Sequence, residues 1–224
     1  MPRPITLADA FRHHWGCPIC WFVEKRLNDF IASSLQRWMT DERERFVATQ
    51  GLCPAHADLL LRWASPMGIA VLYPPLLQLA ADFVALWSTL GRMPNTKPSP
   101  VKPRCPVCAE RVAAEKLALR ELLDLLRTEE GRQIYAESRG VCLPHFRRLW
   151  TKATGELRSW LLQTQQDQLR RLSDDLQSYR QKRETLRRHA ITPAEETAWA
   201  TAVEKLAGRW KALAPTESEV SCDG

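Results

Sequence analysis

Eight side chains in this sequence have both the type and the spacing to do chemistry. Cys17-Pro18-Ile19-Cys20 returns as Cys105-Pro106-Val107-Cys108, and Gly51-Leu52-Cys53-Pro54-Ala55-His56 returns as Gly140-Val141-Cys142-Leu143-Pro144-His145, at offsets of 88 and 89 residues. Each copy therefore offers three thiols and one imidazole: Cys17, Cys20, Cys53 and His56 in the first, Cys105, Cys108, Cys142 and His145 in the second. Four ligands of that kind suit a closed tetrahedral zinc site, because thiolates and a neutral imidazole satisfy a borderline-soft ion. The two-residue gap has a physical reason. With Cys17 as N-cap, Pro18 takes the first helical position and Cys20 the third, so both sulfurs face the same helix end. Unsatisfied N–H groups and the positive end of the helix dipole favour thiolate there. Two Cys3His sets point to two zinc ions per chain, and an iron–sulfur cluster on the same residues is the alternative.

These residues need helices to carry them. Leu35 and Thr40-Asp41-Glu42 align with Leu123 and Thr128-Glu129-Glu130, so the repeat extends between the motifs. An all-α fold follows, with two homologous metal-stapled helical units: residues 1–90, and residues 105–190 with a long basic amphipathic helix. Residues 91–104 (GRMPNTKPSPVKPR) read as a polar, Pro-rich linker. In the long helix Leu172, Leu176, Tyr179, Arg183 and Leu186 form a stripe. Thr192-Pro193-Ala194-Glu195 supplies an N-cap, a first-turn Pro and a capping-box Glu. The short docking helix that follows, within 191–213, carries Trp199, Val203, Leu206 and Trp210 on one face, and 214–224 reads as a disordered tail. Ile69 to Leu90 resembles a membrane span but holds Pro74-Pro75, Gln78 and Asp82, and is expected to be a buried core helix.

The ligand halves of each unit lie 32 and 33 residues apart. A helix from Pro18 to Met39 would rise about 33 Å, so pairing within a unit, the favoured arrangement, requires a bend at Ser33-Ser34 or an extended return. In the alternative, each Cys-x-x-Cys pairs with the Cys-x-x-His of the other unit.

The 224 residues are 45% hydrophobic and 26% charged, which excludes disordered, collagen-like and fibrous classes. The net charge of +6 is matched by residues 147–189, where eleven Lys and Arg face five Asp and Glu. Arg170-Arg171, Lys182-Arg183 and Arg187-Arg188 could contact phosphates, though interspersed acids favour a solvated face over nucleic-acid binding. Trp63, Trp87, Trp150, Trp160 and Trp199 read as core filling; Trp15 and Trp21 flank the first motif and could shield its sulfurs. His13, His14 and His189 read as solvated, and Cys222 as an exposed thiol. No apolar leader segment marks the chain for secretion, so a reducing cytoplasm is expected, where paired cysteines are metal ligands rather than disulfides. No phosphate loop, nucleophile elbow or His-Glu-x-x-His helix is present, and the ligand sets leave no open metal position, so no catalytic residue and no organic cofactor site is assigned.

The motif set resembles an uncharacterised bacterial family known only as a domain of unknown function. The residues that carry the likeness are Cys17 to Cys20, Gly51 to His56, Cys105 to Cys108, Gly140 to His145, and Glu195-Glu196 with Trp199, Leu206 and Gly208. Pro54-Ala55 stands where the family more often has a polar pair. The resemblance implies the helical fold and the metal sites and brings no activity. The expectation is a non-enzymatic zinc-binding scaffold or accessory protein that binds another protein. A redox role for the same cysteines and nucleic-acid binding through 147–189 are the alternatives.

Overall fold

A computed structural model describes Leu7, Ala10, Phe11, residues 16–90, 105–185 and 187–209; side chains of 83 and 86–90 are outside that description. The linker at 91–104, the tail at 214–224, Trp15, Trp210, His13, His14, Leu186 and Cys222 therefore lie outside the described residues, as does the side chain of Trp87. The described chain is all-α, with ten helices and no strand. They are α1 (Pro18–Met39), α2 (Arg43–Ala48), α3 (Pro54–Trp63), α4 (Pro66–Leu72), α5 (Pro74–Leu90), α6 (Pro106–Leu125), α7 (Glu129–Glu137), α8 (Leu143–Lys152), α9 (Gly155–Glu184) and α10 (Pro193–Ala207). No helix among the described residues is long and apolar enough to cross a membrane.

Six of the ten helices open on a Pro, and a seventh, α8, has Pro144 in its first turn. Proline suits that turn because its missing N–H would be unpaired there. Ser65 and Thr128 cap α4 and α7 by accepting from Gly68 N and Gly131 N. At α10 the full capping box forms: Thr192 Oγ1 accepts from Glu195 N, and Glu195 Oε2 accepts from Thr192 N.

The compact units are not the two repeats in order. Among the described residues, one holds those up to Glu24 together with those from Ala114 onward, and the other holds those from Lys25 to Ala113. Each therefore combines the Cys-Pro-x-Cys of one repeat with the Cys-x-x-His of the other. The reason lies in α1. It runs 22 residues without interruption, about 33 Å. Ser34 is fully buried within it and Ser33 Oγ donates back to Phe30 O, so Ser33-Ser34 does not break the helix.

In the first unit, α8, α9 and α10 pack together. Helix α9 buries Leu161, Thr164, Gln165, Gln168 and Leu172. Tyr135 is fully buried, with Phe11 and Trp160 against its ring. In the second unit, Trp38 is buried between Phe30 and Phe46, and α4 packs on α5.

Three expectations need correction. Helix α10 docks through Glu195, Ala198, Thr201 and Lys205, while Trp199, Val203 and Leu206 are 62%, 67% and 62% exposed. Small residues allow close approach, and polar bonds hold it: Lys182 Nζ donates to both Glu195 oxygens, Ser178 Oγ to Glu195 Oε1, Arg139 to Ala194 O, and Lys205 Nζ to Arg139 O. The 69–90 segment is not one buried helix. Pro74 has no N–H to continue α4, the chain turns at Tyr73, and α5 leaves Leu77, Leu79 and Val84 exposed. Trp63 and Trp199 are exposed and Trp150 and Trp160 half-buried, so among the described residues aromatic core filling belongs to Phe22, Trp38, Phe46 and Tyr135.

Lys182, Ser178 and the Thr192 N–H together hold the Glu195 carboxyl down at about 2. A depressed carboxyl stabilises the fold above its unfolded value, about 4.3, and that stability is lost as pH falls toward 2. In urea unfolding, the gap between wild type and Glu195→Gln should hold constant above about pH 5 and close below it. A gap independent of pH would contradict this.

Candidate metal centres

All four ligand pairs sit at helix starts. The carbonyls of Cys17, Cys53, Cys105 and Cys142 accept the first helical bonds, from Trp21 N, Ala57 N, Ala109 N and Phe146 N at 3.1, 2.9, 3.3 and 2.7 Å. Each is thus an N-cap, and the partner three residues on, Cys20, His56, Cys108 or His145, is the third helical residue. That is the capping-box spacing, used to aim two side chains at one point. Cys53 and Cys142 share extended backbone, with φ −66° and ψ 160° and with φ −65° and ψ 158°. Two residues before each stands a glycine at positive φ, Gly51 at 87° and Gly140 at 64°. A side chain is strained there, which explains the Gly of the Gly-x-Cys-x-x-His motif.

The eight residues gather into two groups, but crosswise: Cys17, Cys20, Cys142 and His145, and Cys53, His56, Cys105 and Cys108. This corrects the favoured within-repeat pairing in favour of its alternative. Each group lies inside one compact unit. In the first, His145 Nδ1 is 3.5, 3.4 and 3.1 Å from the sulfurs of Cys17, Cys20 and Cys142, and Cys20 Sγ is 3.8 Å from Cys142 Sγ. In the second, His56 Nδ1 is 3.3, 3.5 and 3.3 Å from Cys53, Cys105 and Cys108, and Cys53 Sγ is 3.6 Å from Cys108 Sγ. None of these cysteines is in a disulfide.

A tetrahedral ion about 2.3 Å from sulfur and about 2.0–2.1 Å from nitrogen implies sulfur–sulfur edges near 3.8 Å and sulfur–nitrogen edges near 3.6 Å, roughly those present. Charge makes the same point. At Cys17, burial raises the thiol, but hydrogen bonds from Cys142 and Cys20 and the His145 charge bring it well below the usual value. Cys20 is pushed up, first by Cys142 and then by Cys17, and Cys142 is pushed up, first by Cys17. In the second group, Cys105 and Cys108 lower Cys53, while Cys105 and Cys53 raise Cys108. Burial would lower His56, but hydrogen bonds to Cys105 and Cys53 carry it up to about 9. Buried thiols this close cannot all ionise against one another, and a divalent cation at their centre removes that penalty. Both groups could hold a metal ion.

Residues outside the motifs shape the surroundings. Glu115 Oε1 lies 3.2 Å from His145 Nε2, in ion-pair range though off the line of a hydrogen bond, and Arg148 bonds the same oxygen. Glu204 Oε1 accepts from Cys17 N at 3.0 Å. Gln165 and Gln168 donate to Val141 O and Tyr135 O at 3.3 and 2.8 Å, pinning the chain that leads into Cys142. Sequence reading missed all of these. The one available signal was polar residues on the apolar side of predicted helices, as with Gln165 and Gln168 in α9.

Crosswise pairing makes a stoichiometric prediction, read by native mass spectrometry of the full chain. Cys20→Ser combined with His145→Ala should lose one metal equivalent, whereas Cys20→Ser combined with His56→Ala should lose both. The opposite pattern would restore pairing within repeats. Comparison with family models, with curated proteins and with solved structures finds no match to the chain.

Proposed function

We propose that this chain is a non-enzymatic helical scaffold or accessory protein that binds two zinc ions and presents its helices to another protein in a reducing, cytoplasmic setting. The observation that carries the reading is the set of tetrahedral edge lengths within two groups of three sulfurs and one nitrogen, buried except for the half-buried Cys53. Such sets fill an ion's coordination and leave no position for substrate, which supports a structural rather than a catalytic role. Ligand atoms all within 4.8 Å of one another suit a single ion better than a multi-iron cluster, so the spacing favours zinc over the iron–sulfur alternative. Binding would contribute roughly 10–16 kcal/mol of apparent free energy per site to folding.

Exposed Trp199, Val203 and Leu206 on α10, with Leu77, Leu79 and Val84 on α5, supply apolar surface for a protein partner. The basic region supports nucleic-acid binding less well. Lys182 is committed to Glu195, Arg171 Nη2 donates to Ala136 O at 2.6 Å, and Arg170 lies 3.4 Å from Asp167.

The purified full chain should carry two zinc ions by mass spectrometry, and a strong chelator should abolish most of its helical circular dichroism. A metal-free chain with the same dichroism would overturn the structural-zinc reading. Fluorescence anisotropy with labelled DNA or RNA should show no association that weakens steeply with salt; a steep salt dependence would promote the nucleic-acid reading.

A further inference from the structure

The two ligand sets have the same composition, three sulfurs and one imidazole, so any difference in behaviour must come from their surroundings. Those surroundings differ on every side. In the first set Cys17 is 3% exposed and Cys20, Cys142 and His145 are 0% exposed. In the second, His56, Cys105 and Cys108 are buried but Cys53 is only half-buried. Behind His145 stands Glu115, itself held by Arg148. Neither imidazole Nε2 has a hydrogen-bond partner among the described residues, but only that of His145 has a carboxylate within ion-pair range. The segment entering Cys142 is pinned by two glutamines from α9. The segment entering Cys53 is held by Thr49 Oγ1, which reaches Gly51 O at 3.4 Å.

From this contrast we infer that the Cys53, His56, Cys105, Cys108 set is an exchangeable metal site, open to an incoming thiol or chelating ligand at Cys53, while the Cys17, Cys20, Cys142, His145 set is the permanent staple. The inference rests on the zinc reading above. A carboxylate behind a ligating imidazole fixes the ring and raises its basicity, and its loss typically weakens metal binding 10–100-fold. His56 lacks that support. Access sets the rate. Cys53 is the ligand that solvent reaches, so it is the one an incoming donor can replace; its thiolate leaves, takes up a proton from water, and no electron changes hands. Glu115 acts as a positioning residue, through His145 rather than on the metal.

The test uses the full zinc-loaded chain and a large excess of a chromophoric pyridylazo chelator. Zinc should leave in two phases of one equivalent each, the faster at least about 10-fold ahead. Cys108→Ser should remove the fast phase and leave the slow one, and Glu115→Gln should accelerate the slow one. A second readout needs no variant: alkylation by N-ethylmaleimide, mapped by peptide mass spectrometry, should reach Cys53 before Cys17, Cys20 or Cys142. A single release rate, a fast phase that survives Cys108→Ser, or earlier alkylation of the first set would each overturn the proposal while leaving zinc binding intact. A chain that takes up no zinc would instead overturn the zinc reading itself.

Discussion

Two helix starts meeting at one point is the constraint on which the rest of this structure depends. A helix start can aim two side chains, at the N-cap and the third position, and four ligands therefore require two starts facing each other. Their dipoles bring like partial charges together, which is unfavourable unless anions lie between them. Cysteine thiolates supply the anions, yet three thiols within 4.8 Å repel one another when ionised, a penalty that a cation between them would remove. Helix geometry and thiol chemistry thus suit a divalent ion, and the arrangement occurs twice, at the starts of α1 and α8 in one unit and of α3 and α6 in the other.

The crosswise partnership follows from helix length. Cys17 and Cys20 stand at the start of an unbroken 22-residue helix, and Cys105 and Cys108 at the start of a 20-residue one. Each carries its chain about 30 Å from its own start before the Cys-x-x-His of the same repeat arrives. Each compact unit takes one motif from each repeat, so neither repeat contains a complete site. Duplication then leaves the two sites free to diverge in everything except their ligands. Glu115, Arg148, Gln165 and Gln168 surround only the first.

All eight candidate ligands, the helical class and the capping box at Thr192 were legible in the sequence, because each is a local pattern with a local cause. What escaped it was non-local. Pairing of the halves depends on whether α1 bends, and Ser33-Ser34 allows either outcome until Ser34 is seen packed in an unbroken helix. The buried face of α10 was misjudged because Trp199, Val203 and Leu206 outrank Ala198 and Thr201 in hydrophobicity. Close approach to α9 and the bonds at Glu195 and Lys205 decide the docking instead. Length and apolar composition suggested that the 69–90 segment was core, yet the Pro74 break turns much of α5 outward.

Zinc-edge X-ray absorption on the purified full chain tests the central claim most directly, because it counts the atoms around each ion. The account predicts an average shell of three sulfurs at about 2.3 Å and one imidazole nitrogen at about 2.0–2.1 Å, with no second metal nearby. A shell dominated by oxygen or nitrogen, or a metal–metal distance, would contradict it.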